Sequence, residues 1–99
     1  MDRASLPQPL RPFVDDDGRI IQWPVRQKVQ RMAVTYLAKR FEPGREYSER
    51  EVNDLLREWH TFGDWALLRR RLCDWRYMVR EPNGTRYRLV PAASSSIEP

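Results

Sequence analysis

Three consecutive arginines, Arg69, Arg70 and Arg71, are the residues of this chain best suited to binding an anion. A guanidinium group stays charged and donates paired hydrogen bonds that match a guanine edge or a phosphate. The run lies among apolar residues with helical spacing: Trp65, Leu68, Leu72 and Trp75. Because successive helical residues are about 100° apart, Arg70 would point away from the core, and the other two arginines would flank it.

Positive charge is concentrated around this run. The chain carries a formal net charge of +4, and residues 69–90 contain seven arginines against two carboxylates. Residues 44–64, in contrast, contain three basic and six acidic side chains. We therefore expect an anionic partner at the C-terminal part of the chain.

Three helices are predicted to position the run. The first begins at Pro24, a residue suited to a first helical position, and its apolar stripe ends near Arg40. The second begins at a capping box in residues 48–51, and the third follows a weaker box in residues 61–64. The charged outer face of the first helix is interpreted as solvated rather than functional.

Short extended segments complete the pattern. One such segment is predicted at residues 45–47, before the second helix. A hairpin around an Asn-Gly turn is predicted at residues 77–80 and 86–90. Residues 13–21 carry an Asp-Gly turn between two apolar pairs, which indicates an extended arm or a small hairpin.

This order of elements is that of a winged helix-turn-helix. We predict an α+β fold, mainly helical, with three helices, a C-terminal β-hairpin wing and an extended N-terminal arm. In that architecture the third helix enters the major groove and the wing touches the DNA backbone. We therefore predict a small protein that binds double-stranded DNA and regulates transcription. Arg70 would read base edges, and five arginines would hold phosphates: Arg69, Arg71, Arg80, Arg86 and Arg88.

Both ends of the chain lack periodicity. Residues 1–12 and residues 91–99 are predicted to be flexible tails around a domain of residues 13–90. No apolar run reaches the roughly 20 residues that a membrane span needs, and the N-terminus lacks the apolar stretch of a signal peptide. We expect a cytoplasmic protein that does not bind membranes.

Few residues are available for metal binding or catalysis. The chain has one cysteine, Cys73, and one histidine, His60, which are too few for a disulfide or the usual zinc sites. A calcium loop is rejected, because Phe13 and Pro24 would fall at its first and last ligand positions. We expect no metal, no cofactor and no enzymatic activity. His60 is predicted to cap the second helix, and Cys73 is either an ordinary thiol or an oxidant sensor activated by nearby arginines.

Ion pairs inside the domain are the alternative fate of the arginines. Asp74 lies four residues after Arg70 and three after Arg71, so it could pair with either. The second helix is acidic and could also neutralise a basic helix. The alternative function is a protein-interaction or dimerisation module without DNA binding of its own, and the sequence leaves a homodimer open.

Several strings together resemble a bacterial domain family labelled as a domain of unknown function: FVDDDGRIIQWP, FEPGREYSEREVN, LLRRRL, MVRE and GTRYRLV. The likeness runs from Phe13 to Val90, and FEPGREYSEREVN is its most specific part. Members are winged-helix-like and occur alone or joined to helix-turn-helix regulators, so the resemblance implies a link with transcriptional regulation. The family commonly has a glycine after the third helix, where this chain has Arg76.

Overall fold

The computed structural model describes residues 6–82 and 86–90. It contains a short N-terminal 3-10 helix, three α-helices and an antiparallel hairpin: 3-10 helix Gln8–Phe13, α1 Gln27–Ala38, α2 Glu49–Glu58, α3 Trp65–Asp74, β1 Met78–Arg80 and β2 Tyr87–Leu89. The predicted α+β class and winged-helix-like order are confirmed. Among the residues described, no helix is both long enough and apolar enough to cross a bilayer.

A two-stranded antiparallel sheet, extended by one isolated bridge, forms the wing. β1 pairs with β2 in the register Met78 opposite Leu89 and Arg80 opposite Tyr87. On the other side of β2, Tyr47 and Tyr87 exchange two backbone hydrogen bonds, with N–O distances of 2.8 and 2.7 Å. The predicted extended segment at residues 45–47 therefore joins the sheet, and β1 becomes its outer edge. The predicted Asn-Gly turn lies at residues 83–84, outside the described residues.

The capping box at the start of α2 is confirmed. Ser48 Oγ accepts from the Glu51 backbone N–H at 3.1 Å, and the Glu51 carboxylate accepts from the Ser48 N–H at 2.8 Å. The hydrogen bond from the Ser48 backbone lowers the pKa of the Glu51 carboxyl. Val52 and Leu56 lie fully buried on the inner face of the helix, as their spacing predicts.

Two predicted helix starts were wrong. α1 begins at Gln27 and not at Pro24, because Arg26 is extended and the Gln30 side chain binds the Pro24 carbonyl oxygen at 2.8 Å. Val25, predicted in the apolar stripe, is 89% exposed. Asp64 rather than Thr61 caps α3, with its carboxylate accepting from the Leu67 N–H at 3.3 Å.

The predicted flexible tail at residues 1–12 was wrong where the structure describes it. Residues Gln8–Phe13 form the 3-10 helix, and Leu6 and Leu10 are buried in the core. Periodicity could not predict this helix, because the segment is short and rich in proline and its two buried leucines are four residues apart. The domain therefore starts before residue 13. The second predicted tail, residues 91–99, lies outside the described residues.

The N-terminal arm folds back onto the turn between α2 and α3. Val14 and Ile20 form the small antiparallel bridge that the Asp-Gly turn predicts. Ile20 then donates its N–H to the Trp59 carbonyl at 2.9 Å and accepts from the Thr61 N–H at 3.0 Å. The arm thus adds backbone hydrogen bonds to the segment that sets the position of α3 relative to α2.

The buried side chain of His60 joins the same two helices. Its Nε2 accepts from the Asp64 N–H at 2.9 Å, so Nδ1 carries the proton and donates to the Leu56 carbonyl at 2.5 Å. The prediction that His60 caps α2 is confirmed. The bond to Asp64, which adds a link to the cap of α3, was not predicted.

A left-handed residue ends α3. Arg76 has φ of 64°, and its N–H binds the Cys73 carbonyl at 3.1 Å, while the Tyr77 N–H binds the Leu72 carbonyl at 2.9 Å. These two bonds define a Schellman motif, in which glycine usually occupies the position of Arg76. The glycine that the family resemblance implies at this position would adopt this left-handed conformation without strain.

Arg76→Gly should raise the free energy of unfolding by about 1 kcal/mol. A side chain at positive φ costs about 1–2 kcal/mol. Glycine avoids this cost, but part of the gain is lost because glycine gives the unfolded chain more conformational freedom. We expect a rise in Tm of about 4–8 °C, measured by thermal unfolding with circular dichroism. Arg76→Ala is the matched control, because it removes the charge but keeps the Cβ. An equal gain from both variants would assign the effect to charge and reject backbone strain.

Candidate nucleic-acid interface

Arg70 projects from the outer surface of α3. Its side chain is 77% exposed, while Leu68 and Leu72 are fully buried on the opposite side of the helix. Within the described residues its ion pair is a long one, with Nε 3.9 Å from the Asp74 carboxylate. Ala66, one turn earlier, is exposed and small. Arg70 can therefore reach a ligand without breaking a strong internal contact.

Arg69 instead connects α3 to α2. Its side chain is 24% exposed, and Nη1 donates to Asn53 Oδ1 at 2.5 Å and lies 3.9 Å from Glu49 Oε2. The Tyr87 hydroxyl donates to the other Glu49 oxygen at 3.2 Å. Burial, together with this bond to Glu49, raises the pKa of Tyr87. Arg69, predicted to hold a phosphate, thus belongs to a contact between α2, α3 and the wing.

Arg71 is engaged with its own helix. Nη1 donates to the Asp74 carboxylate at 3.1 Å, and the guanidinium lies over the Trp75 ring at 5.8 Å. The side chain is 34% exposed. The alternative that Asp74 pairs with these arginines is therefore realised, strongly for Arg71 and weakly for Arg70.

Three arginines of the wing were predicted to hold phosphates. Arg80 and Arg86 are exposed and form no ion pair with the described residues. Arg88 binds the Glu81 carboxylate through Nε at 3.2 Å. β1 packs against α3, so the wing lies beside this helix. Of the six predicted arginines, Arg70, Arg80 and Arg86 are thus the ones available to an anion.

Cys73 does not have the lowered pKa of an activated thiol. Burial raises its pKa, Asp74 adds to the increase, and the nearby arginines only oppose it. A low thiolate fraction disfavours reaction with oxidants. In the part of the chain that the structure describes, no group of three histidine, cysteine or carboxylate side chains could hold a metal ion.

Sequence reasoning missed a second basic region, on the flank of α1. Arg31 and Lys39 face an open groove beside β1, together with Arg76 and Arg80. The charged face of α1 was interpreted as solvated, because helical spacing alone does not show which element lies next to that face. The predicted hairpin next to a charged helix was the available signal.

The fold and the surface define a small winged-helix-like α+β domain with a partly neutralised arginine face. A family model described as "Uncharacterized protein conserved in bacteria (DUF2087)" matches residues 19–89, and the chain belongs to this family. Membership of a bacterial family of unknown function, predicted from the sequence strings, is confirmed. The link to helix-turn-helix regulators stays a prediction. No curated protein and no solved structure matches the chain.

Proposed function

We propose that this protein is a small DNA-binding winged-helix protein that regulates transcription. The observation that supports this function best is the exposed Arg70 on the outer face of α3, the helix that winged-helix proteins insert into the major groove. An arginine in that position can bind guanine O6 and N7 together, which discriminates against other bases by about 1–3 kcal/mol.

Nonspecific affinity would come from phosphate contacts of the available wing cations, Arg80 and Arg86, while Arg70 reads bases. Phosphates would have to displace a carboxylate from each of the other three arginines. The salt dependence of binding counts the phosphates neutralised, with a slope of about −0.9 per contact in a plot of log K against log salt. Two phosphate contacts therefore give a slope of about −1.8, and all five predicted phosphate contacts would give about −4.5.

Arg70→Ala is the direct test. Binding of a fluorescein-labelled random duplex, followed by anisotropy between about 50 and 200 mM salt, should keep nearly the same slope, because Arg70 contacts bases rather than phosphates. Duplexes selected from a random pool with the wild-type protein should share bases at defined positions. Duplexes selected with the variant should not share them. Lys28→Ala, an exposed position on α1, is the control for net charge and should change neither result. Absence of salt-sensitive duplex binding at micromolar protein would overturn the proposal.

Asp74→Asn should tighten binding to the random duplex by about three- to tenfold at low salt. The Asp74 carboxylate lies beside both Arg70 and Arg71. The substitution therefore frees the Arg71 guanidinium and removes the negative charge next to Arg70. Asp54→Asn is the matched control, because Asp54 pairs with Arg57 on α2 and the charge change is identical. An equal gain from both variants would show a general charge effect and would argue against binding at α3.

A protein-interaction or dimerisation module is the second candidate, and the acidic surface of α2 favours it. In a helix-turn-helix this helix crosses the DNA backbone, where exposed carboxylates would repel phosphates. The exposed carboxylates of α2 are Glu49, Glu51, Asp54 and Glu58. A protein that sediments as a dimer and ignores duplex DNA would support this second function.

A further inference from the structure

An open groove of about 1410 Å³ runs between α1 and the outer strand of the wing. Its charged lining residues are all cationic: Arg31, Lys39, Arg76 and Arg80. Apolar and aromatic side chains, among them Phe41, Tyr77 and Leu89, supply the rest of its surface. No carboxylate of the described residues lines the groove, in contrast to the α3 surface, where each of the three arginines has a carboxylate 3.1–3.9 Å away.

The groove follows the backbone of β1 and not only one face of the strand. Residues 75–80 line it without a gap, although alternate side chains of a strand point to opposite faces. The Val90 N–H binds the Tyr77 carbonyl at 2.9 Å, and the Glu81 N–H binds the Arg86 carbonyl at 2.8 Å. Odd-numbered residues therefore face β2, and the backbone groups of Met78 and Arg80 point to the free edge.

Within the described residues, no strand lies beside this free edge. Tyr47 occupies the far side of β2, so β1 is the open edge of the wing, and its outward backbone groups have no backbone partner within the described residues. An unpaired edge can accept an extended peptide as an additional strand, with main-chain bonds providing affinity and flanking side chains selecting the sequence.

We propose that this groove binds an extended acidic segment of a partner protein, which pairs with the edge of β1. The four cations form no ion pair with the described residues, so they favour carboxylates along the segment, and the apolar surface favours hydrophobic residues at alternate positions. A nucleic acid would satisfy the cations but not the strand edge, so the backbone geometry favours a peptide. The groove shares Arg80 with the proposed DNA surface but contains neither Arg70 nor Arg86.

The test uses the full chain and a fluorescein-labelled peptide of about eight residues in which glutamate and valine alternate. We expect saturable binding that protects the Met78 and Arg80 amides from hydrogen exchange. A Glu-Pro repeat of equal charge lacks the alternate N–H donors and should bind at least fivefold more weakly, as should a Lys-Val repeat.

Lys39→Glu should weaken binding of the Glu-Val peptide about fivefold or more while leaving duplex binding unchanged. Lys28→Glu makes the same charge change on α1 outside the groove and should have no effect. Equal binding of the Glu-Val and Glu-Pro peptides, or a single-stranded oligonucleotide that binds through Lys39 when the peptide does not, would overturn the proposal. Peptide binding seen only after removal of residues 91–99 would also overturn it, because the chain itself would then be the occupant.

Discussion

Replacing His60 by alanine should lower the free energy of unfolding by about 3 kcal/mol, a large share of the stability of a small domain. The side chain is 4% exposed, and its two ring nitrogens bind the Leu56 carbonyl and the Asp64 N–H. Each buried backbone group left without a partner costs about 1–3 kcal/mol. The lost contact with the Phe62 ring, 4.7 Å away edge to face, adds to this cost.

His60→Phe separates hydrogen bonding from packing. Phenylalanine retains an aromatic ring against Phe62 but binds neither backbone group, so we expect it to lose about 2 kcal/mol. Urea unfolding of the three proteins, monitored by tryptophan fluorescence at constant m-value, measures the difference. A His60→Phe protein as stable as the wild type would contradict a hydrogen-bonding role. It would leave the histidine as an ordinary core side chain.

The His60 contacts affect the position of α3 as well as the stability of the domain. They tie the last carbonyls of α2 to the cap of α3, and the arm adds the backbone bonds of Ile20 beside them. The turn between the two helices is therefore held from two sides. Such a turn fixes the direction in which Arg70 leaves the domain, and a preorganised side chain loses less entropy when it binds.

Local signals in the sequence predicted most of the architecture. The capping box at residues 48–51, the helical spacing around Leu68 and Leu72, and the Asp-Gly turn each depend on residues a few positions apart. The orientation of Arg70 followed from the same spacing. Burial of Leu6 and Leu10 could not be predicted in this way, because it depends on distant partners that only the folded chain brings together.

The same limit applies to the ion pairs of the six arginines in the predicted interface. Asp74 could be identified as a partner of Arg71 because the two residues are one helical turn apart. The contacts of Arg69 with Glu49 and Asn53 cross between helices, so they depend on the packing of α2 against α3. Sequence spacing predicts which side chains share a face, whereas the opposing element decides which of them remain available to a ligand.

Gly18→Ala should reduce the free energy of unfolding by about 3 kcal/mol, with a fall in Tm of about 12 °C or more. Gly18 has φ of 83°, and a Cβ there would lie 3.0 Å from the Tyr36 hydroxyl and 3.3 Å from Trp59 Cζ3. That hydroxyl is buried and donates to the Gly18 carbonyl at 2.5 Å. Burial raises the pKa of Tyr36, as expected for a phenol whose ionisation would break this bond.

Gly44→Ala provides the matched control for backbone strain. Gly44 has nearly the same φ, 81°, but a Cβ there would meet no atom within 4 Å. We expect it to cost only the about 1–2 kcal/mol of positive φ, so the difference between the variants measures the packing of the arm against Tyr36 and Trp59. Thermal unfolding of both proteins provides this comparison. Equal losses would show that the arm tolerates a methyl group at Gly18 without a packing cost against Tyr36 or Trp59.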